Sequence, residues 1–251
     1  MLKLSPSKIA TYKQCPLKYK CEIDTQIRKA YKQETPPLAF GNLIHGCLND
    51  FFKRVDKSQR NFETLRKLFE EKFKKNFEKH RKIFKTKENI IQYVKEAHRQ
   101  FKTFISSKFV KGNPFLIEEF PTYRLNQELE LGGKFDRVDL VNDKLTLIDY
   151  KTGKYSDEKY EDNRFQLDFY EYLLAKIYPK YQVSKKILLY LKENKVEKYE
   201  KSEDLNQVEK EIVDIADTIK GDTELKPRRN SLCSFCDYRE ICPIFKSEAE
   251  V

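Results

Sequence analysis

Apolar residues recur at helical spacing through the first half of the chain. Between 38 and 55 they stand three or four positions apart, which is the spacing of one face of an α-helix. The residues on this face are Phe40, Leu43, Ile44, Cys47, Leu48, Phe51 and Phe52. Stretches 61–84 and 87–109 show the same spacing and carry Lys and Arg on their opposite faces. A serine followed by a proline predicts one more helix, over 5–14.

The second half of the chain changes to patterns typical of β-strands. The tripeptide GNP at 112–114 ends the helical region, and 115–150 then contains four predicted strands. These strands are FLIEEF, TYRLNQELEL, KFDRVDLV and KLTLIDY. A helix is predicted over 162–178, a strand over 185–191 and a final helix over 204–220. This order predicts an α/β or α+β domain with an inserted helical subdomain.

Acidic side chains replace aliphatic ones at the ends of two neighbouring predicted strands. Residues 132–154, GGKFDRVDLVNDKLTLIDYKTGK, predict a hairpin whose turn is Asn142-Asp143. In that register Asp136 lies opposite Asp149, with Cβ atoms roughly 5 Å apart. Like charges so placed destabilise a sheet, so a divalent cation is the obvious source of compensation. The alternative is a solvent-facing hairpin that carries ordinary surface charges.

A lysine joins this pair of carboxylates. Lys151 stands two residues beyond Asp149 and therefore on the same face of the strand. Mg²⁺ prefers carboxylate oxygens and lowers the pKa of a bound water, and a nearby ammonium group stabilises charge developing on a phosphate. The combination predicts metal-dependent hydrolysis of phosphodiesters. Arg137 and Asp139 point to the other face and are predicted to form a structural ion pair.

Composition narrows the class of protein. Of the 251 residues 36% are charged and the formal net charge is +10, which favours a polyanionic partner or an acidic surface. The alternative is a lysine-rich proteome, because lysine is scattered along the whole chain. No apolar run approaches the roughly 20 residues that span a bilayer, and no signal peptide opens the chain. We therefore expect a cytoplasmic protein without a membrane partner.

The six cysteines are expected to serve metal binding, catalysis or packing, because a reducing compartment disfavours disulfides. Cys233, Cys236 and Cys242 form a close trio near the end of the chain, and Cys15 lies far away near its start. Four thiolates suit either Zn²⁺ or a [4Fe–4S] cluster. Structural zinc sites usually take their ligands as two close pairs, so the one-plus-three arrangement favours iron–sulfur.

Two cysteines remain outside this set. Cys47 falls on the apolar face of its predicted helix, so we expect it to be buried. Cys21 is close enough to Cys15 to be the alternative first ligand, but the Tyr12-x-x-Cys15-Pro16 context favours Cys15.

Four stretches of the chain resemble motifs of a known nuclease family. They are FGNLIHGCL at 40–48, GGKFDRVD at 132–139, LIDYKTGK at 147–154 and QLDFY at 166–170. In this order they resemble the PD-(D/E)XK nuclease superfamily. The resemblance is closest to the branch that contains the RecB and AddB nuclease domains and the CRISPR-associated iron–sulfur nucleases. It extends from Ser5 to Pro243, and 53–112 is its least constrained part.

The resemblance implies roles for the hairpin and for one helix. Asp136 and Asp149 correspond to metal ligands, and Lys151 corresponds to the catalytic lysine. His45, in a Gly41-x-x-x-His45 pattern, corresponds to a further metal ligand. Without the resemblance, a lone histidine on an apolar helix is more often a packed or surface group.

A glutamate and a helical pair complete the implied site. The family has a glutamate on the preceding strand, where Glu118 and Glu119 point to opposite faces, and we predict that Glu118 is the ligand. The backbone carbonyl of Tyr150 is predicted as one more metal ligand. Gln166 and Tyr170 share a helix face, and by resemblance they approach the active site and the DNA. Alone, they would be ordinary residues at the edge of an amphipathic helix.

The implied fold is a single nuclease domain over 1–251. It has a restriction-endonuclease-like α/β (α+β) core, in which a mixed sheet is flanked by helices, and a helical insertion at 53–112. An AddB-like [4Fe–4S] cluster on Cys15 and the 233–242 segment would join the two ends of the chain.

The implied function is that of a Mg²⁺- or Mn²⁺-dependent deoxyribonuclease. We expect exonuclease action on DNA, on single-stranded or duplex ends, in DNA repair and recombination or in CRISPR spacer acquisition. The partner would be a helicase or an integrase complex, and a helicase must be a separate chain because no GxxxxGK[ST] motif is present. The alternative is a non-catalytic iron–sulfur DNA-binding subunit of a helicase–nuclease complex.

Overall fold

The structure is a computed structural model that describes residues 1–246. Its contacts divide the chain into two compact units. The terminal unit comprises 1–33, 122–133 and the residues from Asp204 onward, and the central unit comprises 34–121 and 134–203. The single domain predicted over 1–251 stays a prediction, and its last five residues lie outside the described part of the chain.

Helices α1 to α10 account for most of the regular structure. They are α1 (Pro6–Gln14), α2 (Pro16–Ile23), α3 (Thr25–Tyr31), α4 (Pro36–Arg54), α5 (Phe62–Lys75), α6 (Phe77–Phe84), α7 (Lys87–Ser106), α8 (Tyr160–Ile177), α9 (Leu205–Gly221) and α10 (Pro243–Lys246). The predicted start of α1 is confirmed, since the side chain of Ser5 accepts a hydrogen bond from the backbone N–H of Lys8. Within residues 1–246 no helix combines the length and hydrophobicity of a membrane span.

The strands form one sheet in each unit. They are β1 (Leu2–Leu4), β2 (Pro114–Glu119), β3 (Thr122–Arg124), β4 (Leu129–Gly132), β5 (Phe135–Val141), β6 (Lys144–Lys151), β7 (Gln182–Tyr190) and β8 (Lys195–Tyr199). The sheet of the terminal unit has the order β1-β4-β3, with β1 and β4 parallel. The sheet of the central unit has the order β2-β5-β6-β7-β8, in which only β6 and β7 are parallel. The predicted mixed sheet with flanking helices is therefore present.

The β5–β6 hairpin has the predicted turn and register. Asn142 and Asp143 both adopt a left-handed backbone, with φ of 50° and 59°, as a tight hairpin turn of two residues requires. The turn sets Leu140 opposite Leu145, and the pairing of the two strands continues to Arg137. The ends of the two strands that lie away from the turn are thereby brought together.

The apolar face of α4 packs in the core of the central unit. All seven apolar residues predicted on this face are buried, and they pack with residues of α5, α7, β6 and β7. The predicted burial of Cys47 is confirmed, because its exposed fraction is 0%. Most phenylalanines of the helical insertion also join the core, although Phe77 remains 44% exposed.

Two predicted elements are each split in the structure. The helix predicted over 61–84 breaks at Asn76, whose side chain donates to the Lys72 carbonyl and so caps the end of α5. The strand predicted from TYRLNQELEL folds back on itself as β3 and β4. The side chain of Asn126 accepts hydrogen bonds from the backbone N–H groups of Glu128 and Leu129, which closes the turn.

A buried ion pair supports the hairpin from its other face. Arg137, only 1% exposed, donates two hydrogen bonds to Asp139, of 2.8 and 2.6 Å, which confirms the predicted pair. Its third nitrogen donates to the Phe109 carbonyl and to the Tyr150 hydroxyl, and its guanidinium lies 4.2 Å from the centroid of Phe52. The guanidinium is therefore held on every side and has little freedom to move.

We expect Gly112→Ala to destabilise the central unit by about 2–3 kcal/mol. A methyl group on Gly112 would lie 2.7 Å from Cζ of Arg137 and closer still to a guanidinium nitrogen, which cannot withdraw. Gly153→Ala is the matched control, because no atom lies within 4 Å of its added methyl group. Urea unfolding of both variants measures the difference. Equal stabilities would show that Arg137 can move.

Candidate active site

Five elements of the central unit carry the predicted site residues. Asp136 lies on β5, and Asp149 and Lys151 lie on β6, at the hairpin ends that face away from the turn. Helix α4 contributes His45, and β2 contributes Glu118. Gln166 and Tyr170 lie on α8.

The first carboxylate is held by an imidazole and a backbone amide. Nδ1 of His45 lies 2.8 Å from one oxygen of Asp136, and the N–H of Tyr150 donates to the other oxygen at 2.9 Å. Burial would raise the pKa of Asp136, but these two partners and Lys151 together lower it. Burial would likewise lower the pKa of His45, yet the charge of Asp136 outweighs burial and raises it.

The second carboxylate belongs to a chain of hydrogen bonds with α8. Nζ of Lys151 lies 2.8 Å from Asp149 and 3.2 Å from the amide oxygen of Gln166. The amide nitrogen of Gln166 donates to Asp149 at 3.0 Å and to the Tyr170 hydroxyl at 3.4 Å. Gln166 thus bridges the lysine and the carboxylate, and the structure brings all four predicted residues together.

The pKa values of the two aspartates are shifted in opposite directions. Burial raises the pKa of Asp149, and although Lys151 opposes this shift, the charge of Asp136 adds to it. Burial lowers the pKa of Lys151, but Asp149 outweighs burial and raises it, so the amine stays protonated. The second carboxylate is therefore an unfavourable anion that further positive charge would stabilise.

The structure distinguishes the two adjacent glutamates. Glu118 borders a small cavity together with His45 and Asp136, whereas Glu119 is exposed. The backbone of Glu118 has a φ of 52°, a strained value for a residue other than glycine. Its carboxylate accepts a hydrogen bond from Asn49 and lies 2.5 Å from Nζ of Lys134.

Asn49 is a residue of this cavity that the sequence analysis did not identify. It lies one helical turn after His45, on the same face of α4. Its amide nitrogen donates to Glu118, and its amide oxygen is buried with no hydrogen-bond partner among residues 1–246. Its spacing of four residues from His45 was the sequence signal that could have placed Asn49 beside the predicted metal ligand.

The donor set suits a hard divalent cation. Carboxylate oxygens, one imidazole and an unpartnered amide oxygen are ligands that Mg²⁺ and Mn²⁺ accept. These groups contact one another in the structure, and no three His, Cys, Asp or Glu side chains of residues 1–246 are spaced as around one metal ion. Cation binding would therefore replace contacts such as Lys134–Glu118. The Tyr150 carbonyl as a ligand stays a prediction.

The four predicted cysteine ligands line one cavity of the terminal unit. Cys15, Cys233, Cys236 and Cys242 all line this cavity, and all six cysteines of the chain are free thiols. Lys18, Arg228 and Arg239 also line this space and supply positive charge. Backbone N–H groups lie 3.4 and 3.3 Å from the sulfurs of Cys15 and Cys233.

Cys21 stands apart from this lining. Its side chain is 2% exposed, and burial raises the pKa of its thiol to about 11. The nearby Cys15, Cys236 and Cys242 add to this shift, so Cys21 lies near the predicted ligands without lining their cavity.

Comparisons with known proteins agree with this architecture. Over 218 residues the chain is 28% identical to a subunit of the ATP-dependent helicase/deoxyribonuclease of Exiguobacterium sibiricum. The match covers 76% of this chain but 17% of that relative, so the chain spans about a sixth of the relative's length.

Two crystal structures share the fold. A protein named SSO0001 superposes with a TM-score of 0.51 at 17% identity, over 96% of this chain and 86% of the other. A protein from Eubacterium rectale, named as a candidate exonuclease, superposes with a TM-score of 0.55 at 15% identity, over 94% and 87%. The family model of the PD-(D/E)XK nucleases matches residues 3–243. The chain therefore belongs to the PD-(D/E)XK nuclease superfamily.

Proposed function

We propose that this nuclease is a Mg²⁺- or Mn²⁺-dependent DNA exonuclease. The observation that carries the proposal is the placement of Asp136 and Asp149 on adjacent strands, with Lys151 hydrogen-bonded to the second of them. Two buried carboxylates beside a single ammonium group favour a cation that balances their charges, and such a cation can act on a phosphate. Of the two carboxylates, Asp136 also lines the cavity that His45 and Glu118 border.

Asp136, Asp149, Glu118 and His45 would hold the cation. When bound, it supplies a water of lowered pKa and positive charge for the phosphate oxygens. His45 contributes an imidazole whose other partner is Asp136, and Asn49 holds the Glu118 carboxylate in place. The Tyr150 carbonyl is proposed as an additional oxygen ligand.

Lys151 would orient the attacking water and not deprotonate it. Asp149 keeps the pKa of Lys151 raised, so its ammonium group donates hydrogen bonds and carries charge at neutral pH. Gln166 fixes the position of this ammonium, and the Tyr170 hydroxyl accepts from Gln166 in turn. Both α8 residues are therefore proposed to position Lys151 beside the scissile phosphate.

The net charge of +10 supports a nucleic acid substrate that is bound through its phosphates. The α5–α6 region adds many exposed Lys and Arg side chains, which we propose guide a DNA strand from a single-stranded or duplex end. The Exiguobacterium relative is named as a subunit of a helicase/deoxyribonuclease, which supports a helicase as partner. With such a partner, the proposed setting is DNA repair and recombination. An integrase complex in CRISPR spacer acquisition is the other proposed setting, and both settings are cytoplasmic.

We further propose that Cys15, Cys233, Cys236 and Cys242 bind a [4Fe–4S] cluster. Each iron of such a cluster takes one thiolate, so its ligands are spread around a cavity and do not converge as around a single ion. The shared cavity, the three cationic side chains and the N–H groups aimed at sulfur support this assignment.

A nuclease assay on single strands labelled at the 5′ or the 3′ end tests the proposed activity. We expect cleavage from an end with Mg²⁺ or Mn²⁺, and none with EDTA. Lys151→Met should bind the same strands and leave them intact, which excludes a contaminating nuclease. Binding without cleavage by the wild-type protein would favour the non-catalytic DNA-binding subunit.

A further inference from the structure

The cysteine loop of the terminal unit presents an aromatic ring to solvent. Phe235 lies between Cys233 and Cys236, and 82% of its surface is exposed. This is the largest exposed fraction among the large apolar residues that the structure describes. Leu232, three positions earlier, is also 54% exposed. The loop therefore has an apolar tip that no described part of the chain covers.

The backbone that carries Phe235 is held by hydrogen bonds. Its N–H donates to the Leu232 carbonyl at 3.1 Å. Asn230 accepts from the N–H of Leu232 at 2.9 Å and donates to the Gln14 carbonyl at 3.2 Å. These hydrogen bonds fix the backbone of the turn that carries the exposed ring, so the ring is available for a ligand to stack on.

Basic residues stand on both sides of this ring in the sequence. Between 224 and 240 the segment has four basic and three acidic residues, and Lys226 is paired with Glu224 at 2.6 Å. All four basic residues are exposed. Arg228 donates to the Lys13 carbonyl at 2.6 Å, and the guanidinium of Arg239 lies 4.5 Å from the centroid of Phe245. These contacts orient the two guanidinium groups without neutralising their charges.

We propose that Phe235 stacks on a base of single-stranded DNA while Arg228 and Arg239 contact its phosphates. The inference rests on the proposed deoxyribonuclease function and names how the strand is recognised. A nucleotide combines a flat apolar face with an anionic phosphate, which is the complement of an exposed ring among cations. The apolar patch of a protein partner would match the ring but leave Arg228 and Arg239 without an anionic counterpart.

The test measures binding to a labelled single-stranded oligonucleotide in EDTA, where no cleavage occurs. Phe235→Ala should weaken binding at least about fivefold, and Phe235→Trp should bind like the wild type, because stacking needs a π face. Phe235→Leu, which is apolar but not aromatic, should behave like the alanine variant. Phe120→Ala is the matched control, since Phe120 is 59% exposed but stands beside Glu119.

Two further readouts separate stacking from other roles. Fluorescence of a 2-aminopurine in the strand should be quenched by the wild type and not by Phe235→Ala. Arg239→Gln should reduce the salt dependence of binding by about one phosphate contact. Iron content and melting temperature, measured for each Phe235 variant, should match the wild type, because Phe235 is exposed.

Wild-type affinity of Phe235→Ala would overturn the proposal, as would full binding by Phe235→Leu. Loss of binding to a partner protein with unchanged DNA affinity would also overturn it, and would assign the ring to protein docking. If the protein cuts nothing but binds DNA through Phe235, the proposed nuclease function fails and this inference stands. If the protein cuts DNA while Phe235→Ala binds DNA normally, the proposed nuclease function stands and this inference fails.

Discussion

Asp149→Asn is expected to reduce DNA cleavage by at least about 10³-fold. The substitution keeps the shape of the side chain but removes a proposed cation ligand and the charge that holds Lys151. Asp136→Asn should reduce cleavage as strongly, because it removes the other proposed carboxylate ligand and the partner of His45. Rates measured under single-turnover conditions with Mn²⁺ give the comparison.

The same two variants should differ in stability when no metal is present. The folded state lowers the pKa of Asp136, so above the ordinary aspartate pKa its charge stabilises the fold, and asparagine loses that contribution. The folded state raises the pKa of Asp149, so its charge costs stability at neutral pH and asparagine removes part of that cost. We therefore expect Asp136→Asn to melt at a lower temperature than Asp149→Asn, measured in EDTA at pH 7.

Asp143→Asn is the control for both variants. Asp143 lies in the turn of the same hairpin, and asparagine tolerates its left-handed backbone. This variant should cut DNA and melt like the wild type. Cleavage at the wild-type rate by Asp149→Asn would place the active site elsewhere in the chain.

Cys15→Ala is expected to lose iron and a large part of the stability, whereas Cys21→Ala should keep its iron. A cluster held by Cys15 and the 233–242 trio would cross-link residues far apart in sequence. Closing a loop of that length contributes about 5 kcal/mol by the estimate used for disulfides, and labile metal–thiolate bonds reduce that figure. Cys21→Ala should cost about 1 kcal/mol, because it removes one buried sulfur without a ligand role.

Iron content, acid-labile sulfide and melting temperature of anaerobically purified protein measure the difference. Loss of iron from Cys21→Ala but not from Cys15→Ala would reverse the ligand assignment. Colourless wild-type protein with one zinc per chain would replace the cluster by a zinc site. Retention of iron in both variants would remove the proposed link between the ends of the chain.

The hairpin was predictable from sequence because its determinants are local. A two-residue turn fixes the register, and alternation then decides which side chains share a face. The helical face of α4 followed for the same reason, since its spacing of three and four residues is continuous from Phe40 to Phe52. The placement of His45 and Glu118 beside Asp136 came from family resemblance, because contacts between distant segments leave no local pattern.

Other features depend on single polar contacts or on tertiary packing. The turn at Asn126 interrupts a stretch whose alternation continues on both sides of it, so periodicity alone predicts one strand. Strands β1 and β8 are short and rich in lysine, and helices α2 and α3 lack a clear apolar stripe, so none of them was predicted. The burial of Lys186, which is paired with Asp168 and Glu171, could not be predicted from sequence either, because only tertiary packing places a lysine in a core.

Each unit of the protein is assembled from separate stretches of the chain, and this has a consequence for biosynthesis. The ribosome releases residues in order, so every segment of the central unit has emerged once residue 203 is free. The first 33 residues belong to the other unit, whose second segment, 122–133, has also emerged but whose last segment begins only at Asp204. We therefore expect the nascent chain to form the β5–β6 hairpin while its N-terminal helices still await their partners.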